Sequence, residues 1–121
     1  MTRFRAEFGT GSRLFFAPGR INLVGAHLDY NGGDVLPMAV DRGILLAVRA
    51  REDGLIRLRS LDQQTAVDVE LAALDDRARA EHGWANYPLG VCRVFATGHG
   101  VERGFEAVFG GDLPMASGLS S

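Results

Sequence analysis

Only one stretch of this 121-residue chain repeats its apolar residues at a helical period, and that scarcity constrains the fold more than any other feature. Tyr87, Val91, Val94 and Phe95 fall at i, i+4, i+7 and i+8, so residues 86–97 are expected as an amphipathic helix that Gly98 and Gly100 terminate. Elsewhere the apolar runs are short and broken by turn residues, which is the pattern of strands. Residues 13–17 suit a buried strand stopped by Pro18-Gly19. Residues 44–51 and 55–61 flank Glu52-Asp53-Gly54, an Asp-Gly signal for an antiparallel hairpin. Residues 65–70 add a third strand, with Val67 and Val69 on one face and Asp68 and Glu70 on the other. Residues 71–79 read as a loop or short helix, residues 105–109 as a strand, and residues 3–8 as a helical turn or a strand that Gly9-Thr10-Gly11 ends. The expected class is α+β, a mostly antiparallel or mixed sheet with one clear helix. No repeat or linker marks an internal domain boundary.

Composition narrows the partners. A hydrophobic content of 46% allows a modest single core. The net charge of −2 leaves no polycationic footprint for nucleic acid. No run approaches the ~20 apolar residues that span a bilayer, and Met1 to Glu7 lack an apolar signal core, so no membrane partner and a cytoplasmic location are expected. The lone Cys92 has neither a disulfide partner nor zinc-ligand spacing and reads as a small core residue. Arg49, Arg51, Arg57 and Arg59 are expected on the solvated face of the hairpin, and Trp84 and Tyr87 in packing at the helix start. His82 and His99 fall in surface turns beside glycines, and Asp41-Arg42 reads as a turn pair.

Two segments concentrate chemistry. In Ala17 to Gly33, Arg20, Asn22, His27 and Asp29 cluster in a glycine-punctuated stretch after a strand, where a scaffold can hold polar groups toward a small polar ligand. Asp29 can accept hydrogen bonds from vicinal hydroxyls, and Arg20 can stabilise negative charge on a transferred phosphoryl group. On residue types alone the structural alternative stays open: Arg20 and Asp29 pair, and His27 satisfies a loop carbonyl. In the second segment, Gly110, Gly111 and Gly118 lead to Ser120 and Ser121 where a helix would begin, a geometry that suits phosphate binding by backbone N–H groups. All thirteen basic residues are arginines, so this is no Walker A loop. Taken alone, it also suits an ordinary Gly/Ser loop capping a helix. The chain stops one step into this turn, as a piece of a larger protein would.

A resemblance connects the two segments. APGRINLVGAHLDYNGGDVLPMAV, residues 17–40, is similar to the first motif of galactokinases within the GHMP kinase superfamily, whose usual form is close to GR-x-N-L-I-G-E-H-T-D-Y-x-x-G-x-V-L-P. Trp84-Ala85-Asn86-Tyr87 with Gly90-Val91 resembles the family's W-x-N-Y-x-x-G-V helix start. Asp112-Leu113-Pro114 to Ser121 resembles the opening of its P-x-G-x-G-L-S-S-S-A phosphate motif. The three blocks stand in the family's order.

The resemblance implies the N-terminal part of a GHMP kinase, a ribosomal-protein-like α+β domain, with residues 1–121 an incomplete sugar- and phosphate-binding domain. It implies ATP-dependent phosphorylation of the C1 hydroxyl of galactose or a related monosaccharide. Arg20 would lie near the anomeric hydroxyl and the transferred phosphate, and His27 and Asp29 would line the sugar pocket. Gly118, Ser120 and Ser121 would cradle ATP phosphates, with Ser121 helping to hold Mg2+. The chain departs from the motif at Ala26, where the family usually has the glutamate that contacts the sugar's C6 hydroxyl, and at Leu28, where it usually has threonine. The family's catalytic-base aspartate follows the phosphate motif, so residues 1–121 alone are expected to be inactive and to leave a sheet face uncovered. Two alternatives remain: a non-catalytic sugar-binding or sensor relative, compatible with Ala26, and an RNA-binding module of the same fold, which the acidic balance disfavours.

Overall fold

The computed structural model describes residues 6, 10–75 and 77–113. Residues 3–8, apart from Ala6, and Pro114 to Ser121 lie outside them. The elements are β1 (Arg13–Val24), β2 (Leu36–Ala50), β3 (Leu55–Ser60), β4 (Thr65–Glu70), two 3-10 turns at Leu71–Ala73 and Ala80–Ala85, a helix α1 (Asn86–His99) and β5 (Phe105–Gly111). The strands form one sheet in the order β1-β2-β5-β3-β4. It is mixed, because β3 runs antiparallel to β4 and parallel to β5. The expected α+β class is what the structure contains, with one helix of several turns among the described residues. The chain divides into two compact units, one of residues 10–14 and 47–109 and one of residues 15–46 and 110–113.

The first unit holds the described core. Along β3 every second residue, Ile56, Leu58 and Ser60, is buried, the period of a strand with one face inward. In register, Leu58 lies beside Ala107 of β5, and both are fully buried. Removing the Leu58 side chain to alanine would leave a cavity in this layer, at a cost of about 2–5 kcal/mol. Helix α1 buries Leu89, and Ala85 just before it is also buried. Asn86 fastens the turn that precedes the helix: its Oδ1 accepts from the Arg79 N–H at 2.9 Å, and its Nδ2 donates to the carbonyls of Arg79 and Gly83 at 2.8 and 2.9 Å. The same turn presents Trp84, whose Nε1 donates to the Thr65 hydroxyl at 2.7 Å and whose ring meets Phe109 edge to face at 5.5 Å. The helix ends at Gly100, in the left-handed conformation, with its N–H donating to the Ala96 carbonyl.

Three expectations are corrected here. Strand β1 runs through Pro18-Gly19 rather than stopping there. It is an edge strand, where a proline without an N–H leaves no ladder bond missing. The hairpin across Glu52-Asp53-Gly54 does not form. The start of β5 lies there instead, with the Arg51 N–H donating to the Gly104 carbonyl and the Gly104 N–H donating to the Asp53 carbonyl, because period-two alternation specifies faces and not the partner at each edge. The hairpin that does form joins β3 to β4. On α1, Tyr87, Val91, Val94 and Phe95 are all more than half exposed, while Ala85, Leu89, Cys92, Arg93 and Ala96 repeat the same spacing on the side turned inward. The helix carries two stripes of equal period, and the one read from the sequence is the outer one. Cys92 is half-buried, and burial pushes its thiol above the ordinary range.

Two of the four arginines expected as a solvated face, Arg49 and Arg51, are instead organised around a buried carboxylate. Glu106 on β5 is 2% exposed and pairs with both Arg49 and Arg51, the latter at 3.1 Å. Arg49 also donates to the Thr10 carbonyl at 3.1 Å. Arg51 forks onto Asp53 at 2.8 and 2.7 Å, and Arg59 pairs with Asp68 at 2.6 Å. The charge and hydrogen bond of Arg51 hold the Asp53 carboxyl down at about 2. A group whose folded value is depressed contributes stability above its ordinary value near ~3.9, and that contribution disappears as pH falls through about 2. A carbon-detected NMR titration should therefore find the Asp53 midpoint close to 2 and, in Arg51→Ala, near the ordinary carboxylate value. A midpoint near 4 in the unsubstituted chain would show that the fork is not held in solution.

Candidate functional site

The second unit carries the segment that the sequence singled out. Strand β1 brings Gly19 into a buried position and Arg20 to the surface. The strand ends at Val24, and residues 25–33 form a turn-rich loop before β2. Its backbone is closed by its own hydrogen bonds: the Leu28 N–H donates to the Gly25 carbonyl at 2.9 Å, and the N–H groups of Asn31 and Gly33 both donate to the Leu28 carbonyl at 3.0 Å.

His27 sits at the centre of this loop in the left-handed region, with φ 68, a conformation uncommon outside glycine that persists where the surroundings hold it. Two side chains hold it. The Asn31 Nδ2 donates to the His27 carbonyl at 2.7 Å. The Tyr30 hydroxyl shares a 2.7 Å hydrogen bond with His27 Nδ1, the rings meeting edge to face at 6.0 Å. With Nδ1 engaged by Tyr30, the other ring nitrogen, Nε2, is left as the polar edge available to a ligand.

Arg20 and Asp29 behave differently. Both are exposed, and among the described residues no ion pair or hydrogen bond joins them. The alternative in which Arg20 and Asp29 pair and His27 binds a loop carbonyl is therefore not the arrangement found. The loop satisfies its backbone groups internally, and among the described residues neither the Asp29 carboxylate nor the Arg20 guanidinium on β1 has a partner. Ala26 is exposed beside His27. Gly118, Ser120 and Ser121 lie outside the described residues.

Tyr30 and Asn31 were not singled out from the sequence as bracing residues. Tyr30 was read only as part of the residues 17–40 motif, and which side chain reaches back to His27 depends on the loop's path. Asp112 was read only as part of the phosphate motif. Its Oδ1 accepts from the Gly43 N–H at 2.9 Å and its own N–H donates to the Gly43 carbonyl at 3.2 Å.

In the first unit, a cleft of about 270 Å³ is lined by Leu74, Arg77, Arg79, His82, Asn86 and Arg93 among others. None of Arg20, His27 or Asp29 lines it. Arg79 there is paired with Asp75 at 3.3 Å, so part of its charge is neutralised internally.

Residues 2–50 match the family model described as the galactokinase galactose-binding signature. That match spans β1, the braced loop and β2. The chain is similar to the N-terminal region of the galactokinases. It is 47% identical over 121 residues to the galactokinase of Bacillus subtilis, covering 98% of this chain and 31% of that protein. It is 40% identical to the galactokinase of Streptococcus thermophilus over the same share of each. The crystal structure of Lactococcus lactis galactokinase complexed with galactose superimposes with a TM-score of 0.86 at 35% identity, over 99% of this chain and 32% of that one. Methanococcus jannaschii mevalonate kinase, at 19% identity and a TM-score of 0.75, shares the fold. The chain thus spans about a third of the length of the galactokinases that it matches.

If the loop is braced as described, Asn31→Ala should free the His27 carbonyl. Amide hydrogen exchange at Asn31 and Gly33 should then speed by about ten-fold, the equivalent of one lost hydrogen bond of ~1.4 kcal/mol. Unchanged exchange would mean that the loop holds its shape without Asn31.

Proposed function

We propose that the protein containing this chain is an ATP-dependent sugar kinase that phosphorylates the C1 hydroxyl of galactose or a close relative. The observation that carries the reading is the loop of residues 25–33, matched by the galactose-binding signature, which satisfies its backbone groups internally, while Arg20 and Asp29 at the surface have no partner among the described residues.

Each residue has a role that its chemistry suits. Asp29 accepts hydrogen bonds from vicinal sugar hydroxyls, and His27, oriented by Tyr30, offers Nε2 to another. Arg20 neutralises charge on the phosphoryl group as it passes to the C1 oxygen. Gly118, Ser120 and Ser121 would hold the ATP phosphates, and the Ser121 hydroxyl would help to hold Mg2+, which would neutralise phosphate charge. Among the described residues no group of three or more His, Cys, Asp or Glu could hold a metal ion. The general base for the C1 hydroxyl is assigned outside residues 1–121, since Asp29 is used for the sugar. No helix among the described residues is long and apolar enough to cross a membrane, and a cytoplasmic enzyme is the reading adopted.

The decisive assay follows phosphate by 31P NMR with ATP, Mg2+ and galactose. The whole protein should yield an anomeric sugar phosphate, and residues 1–121 alone should yield none. Turnover by residues 1–121 would overturn the assignment of the base elsewhere.

Ala26 favours one competing reading, a relative that binds sugar without turning it over. Where the family has glutamate, alanine leaves a sugar hydroxyl without its acceptor, a loss of about 1–3 kcal/mol. In the whole protein Ala26→Glu should raise kcat/KM for galactose by roughly five-fold or more, about 1 kcal/mol or above. No change, or a fall, would remove Ala26 from the sugar pocket, and sugar binding without phosphate transfer by the whole protein would establish the competing reading.

A further inference from the structure

The segment leading into the serine turn is tied to the middle of β2 by a two-point clamp. Strand β5 ends at Gly111, and the next residue, Asp112, takes both backbone groups of Gly43: its Oδ1 accepts from the Gly43 N–H at 2.9 Å, and its own N–H donates to the Gly43 carbonyl at 3.2 Å. Three glycines make room for the packing around the clamp. A Cβ on Gly43 would overlap the Ala17 carbonyl oxygen of β1, and one on Gly111 would overlap the Gly43 carbonyl oxygen. One residue further on, the Leu113 side chain occupies the space where Gly19 would carry its Cβ. Gly19 is the residue before Arg20.

These contacts lie within one compact unit. They place Asp112 and Leu113 against the strand segment that carries Arg20, and Leu113 is bonded directly to Pro114, where the serine turn's motif begins. We infer that Asp112 is a positioning residue, whose clamp on Gly43 fixes Leu113, the residue before the phosphate motif, relative to Arg20. The inference rests on the kinase reading above. Asp112 touches neither sugar nor phosphate in this role. It needs an acceptor oxygen at the right reach and does not need a negative charge.

That distinction makes it testable in the whole protein. Asp112→Ala removes the acceptor and should lower kcat by about ten-fold and raise KM for ATP, while the Kd for galactose, set by the loop of residues 25–33, stays within about two-fold. Asp112→Asn keeps an Oδ1 that can accept from the Gly43 N–H, and should retain at least half of the parental kcat. Leu113→Ala, which loosens the contact at Gly19 without touching the clamp, should fall between them.

An Asp112→Ala enzyme with parental kcat and KM for ATP would overturn the inference. So would an Asp112→Asn enzyme as impaired as Asp112→Ala, because the charge would then be what matters. Should Asp112→Ala fail to fold, as shown by loss of galactose binding, the comparison passes to Asp112→Asn and Leu113→Ala. Parental kcat in Leu113→Ala would then overturn the inference. Absence of sugar turnover by the unsubstituted protein would instead defeat the kinase reading. The clamp would still be read by amide exchange at Gly43, protected in the parent and in Asp112→Asn and at least ten-fold faster in Asp112→Ala. Unprotected Gly43 in the parent would refute it.

Discussion

No side chain fits at residue 43. There the backbone of β2 lies so close to the Ala17 carbonyl of β1 on one side, and to Gly111 at the end of β5 on the other, that glycine is required by contact and not by backbone conformation. Much of the second unit depends on that approach. It lets Asp112 close on both polar groups of Gly43, and it brings Leu113 over Gly19. The strand that carries Arg20 and the segment that leads into the serine motif thereby meet where the Leu113 side chain lies against the Gly19 backbone.

The loop that follows β1 applies the opposite economy. Every group that shapes it is spent internally: Gly25 and Leu28 carbonyls on backbone N–H groups, the His27 carbonyl on Asn31, His27 Nδ1 on Tyr30. Arg20 and Asp29 are excepted, and both are exposed. A rigid frame with a few uncommitted polar groups is what recognition of a hydroxyl-rich ligand requires, because preorganised donors and acceptors lose little entropy on binding. The left-handed His27 belongs to this frame. Its conformation is unfavourable locally and is sustained by two side-chain bonds.

How much of this could be read from the residues depended on whether the relevant information was local. The strand-like alternation in 55–60 and 65–70 and the helix, expected over 86–97 and found over 86–99 with its stop at Gly100, were legible, because period and capping are properties of short segments. Partner choice was not: the Asp-Gly turn at 53–54 gave no sign that β5, fifty residues later, would lie beside it. Nor was the inward face of α1, where two stripes share one period. Glu106 was passed over because a single carboxylate in an apolar strand looks like an outward-facing residue, and only the register with Arg57 and the reach of Arg49 and Arg51 show it as a buried ion-pair centre. In the candidate site, Arg20, His27 and Asp29 were named from motif and residue chemistry, whereas Tyr30, Asn31 and Asp112 act through geometry that no spacing rule contains.

The central claim is that the braced loop and Arg20 form the sugar pocket. A crystal structure of the whole protein with galactose bound tests it most directly. On the present account the sugar lies against the loop of residues 25–33, with polar atoms of Arg20, His27 and Asp29 within about 3.2 Å of its oxygens and His27 Nδ1 still on Tyr30. A sugar seated elsewhere, with Asp29 in solvent, would contradict it.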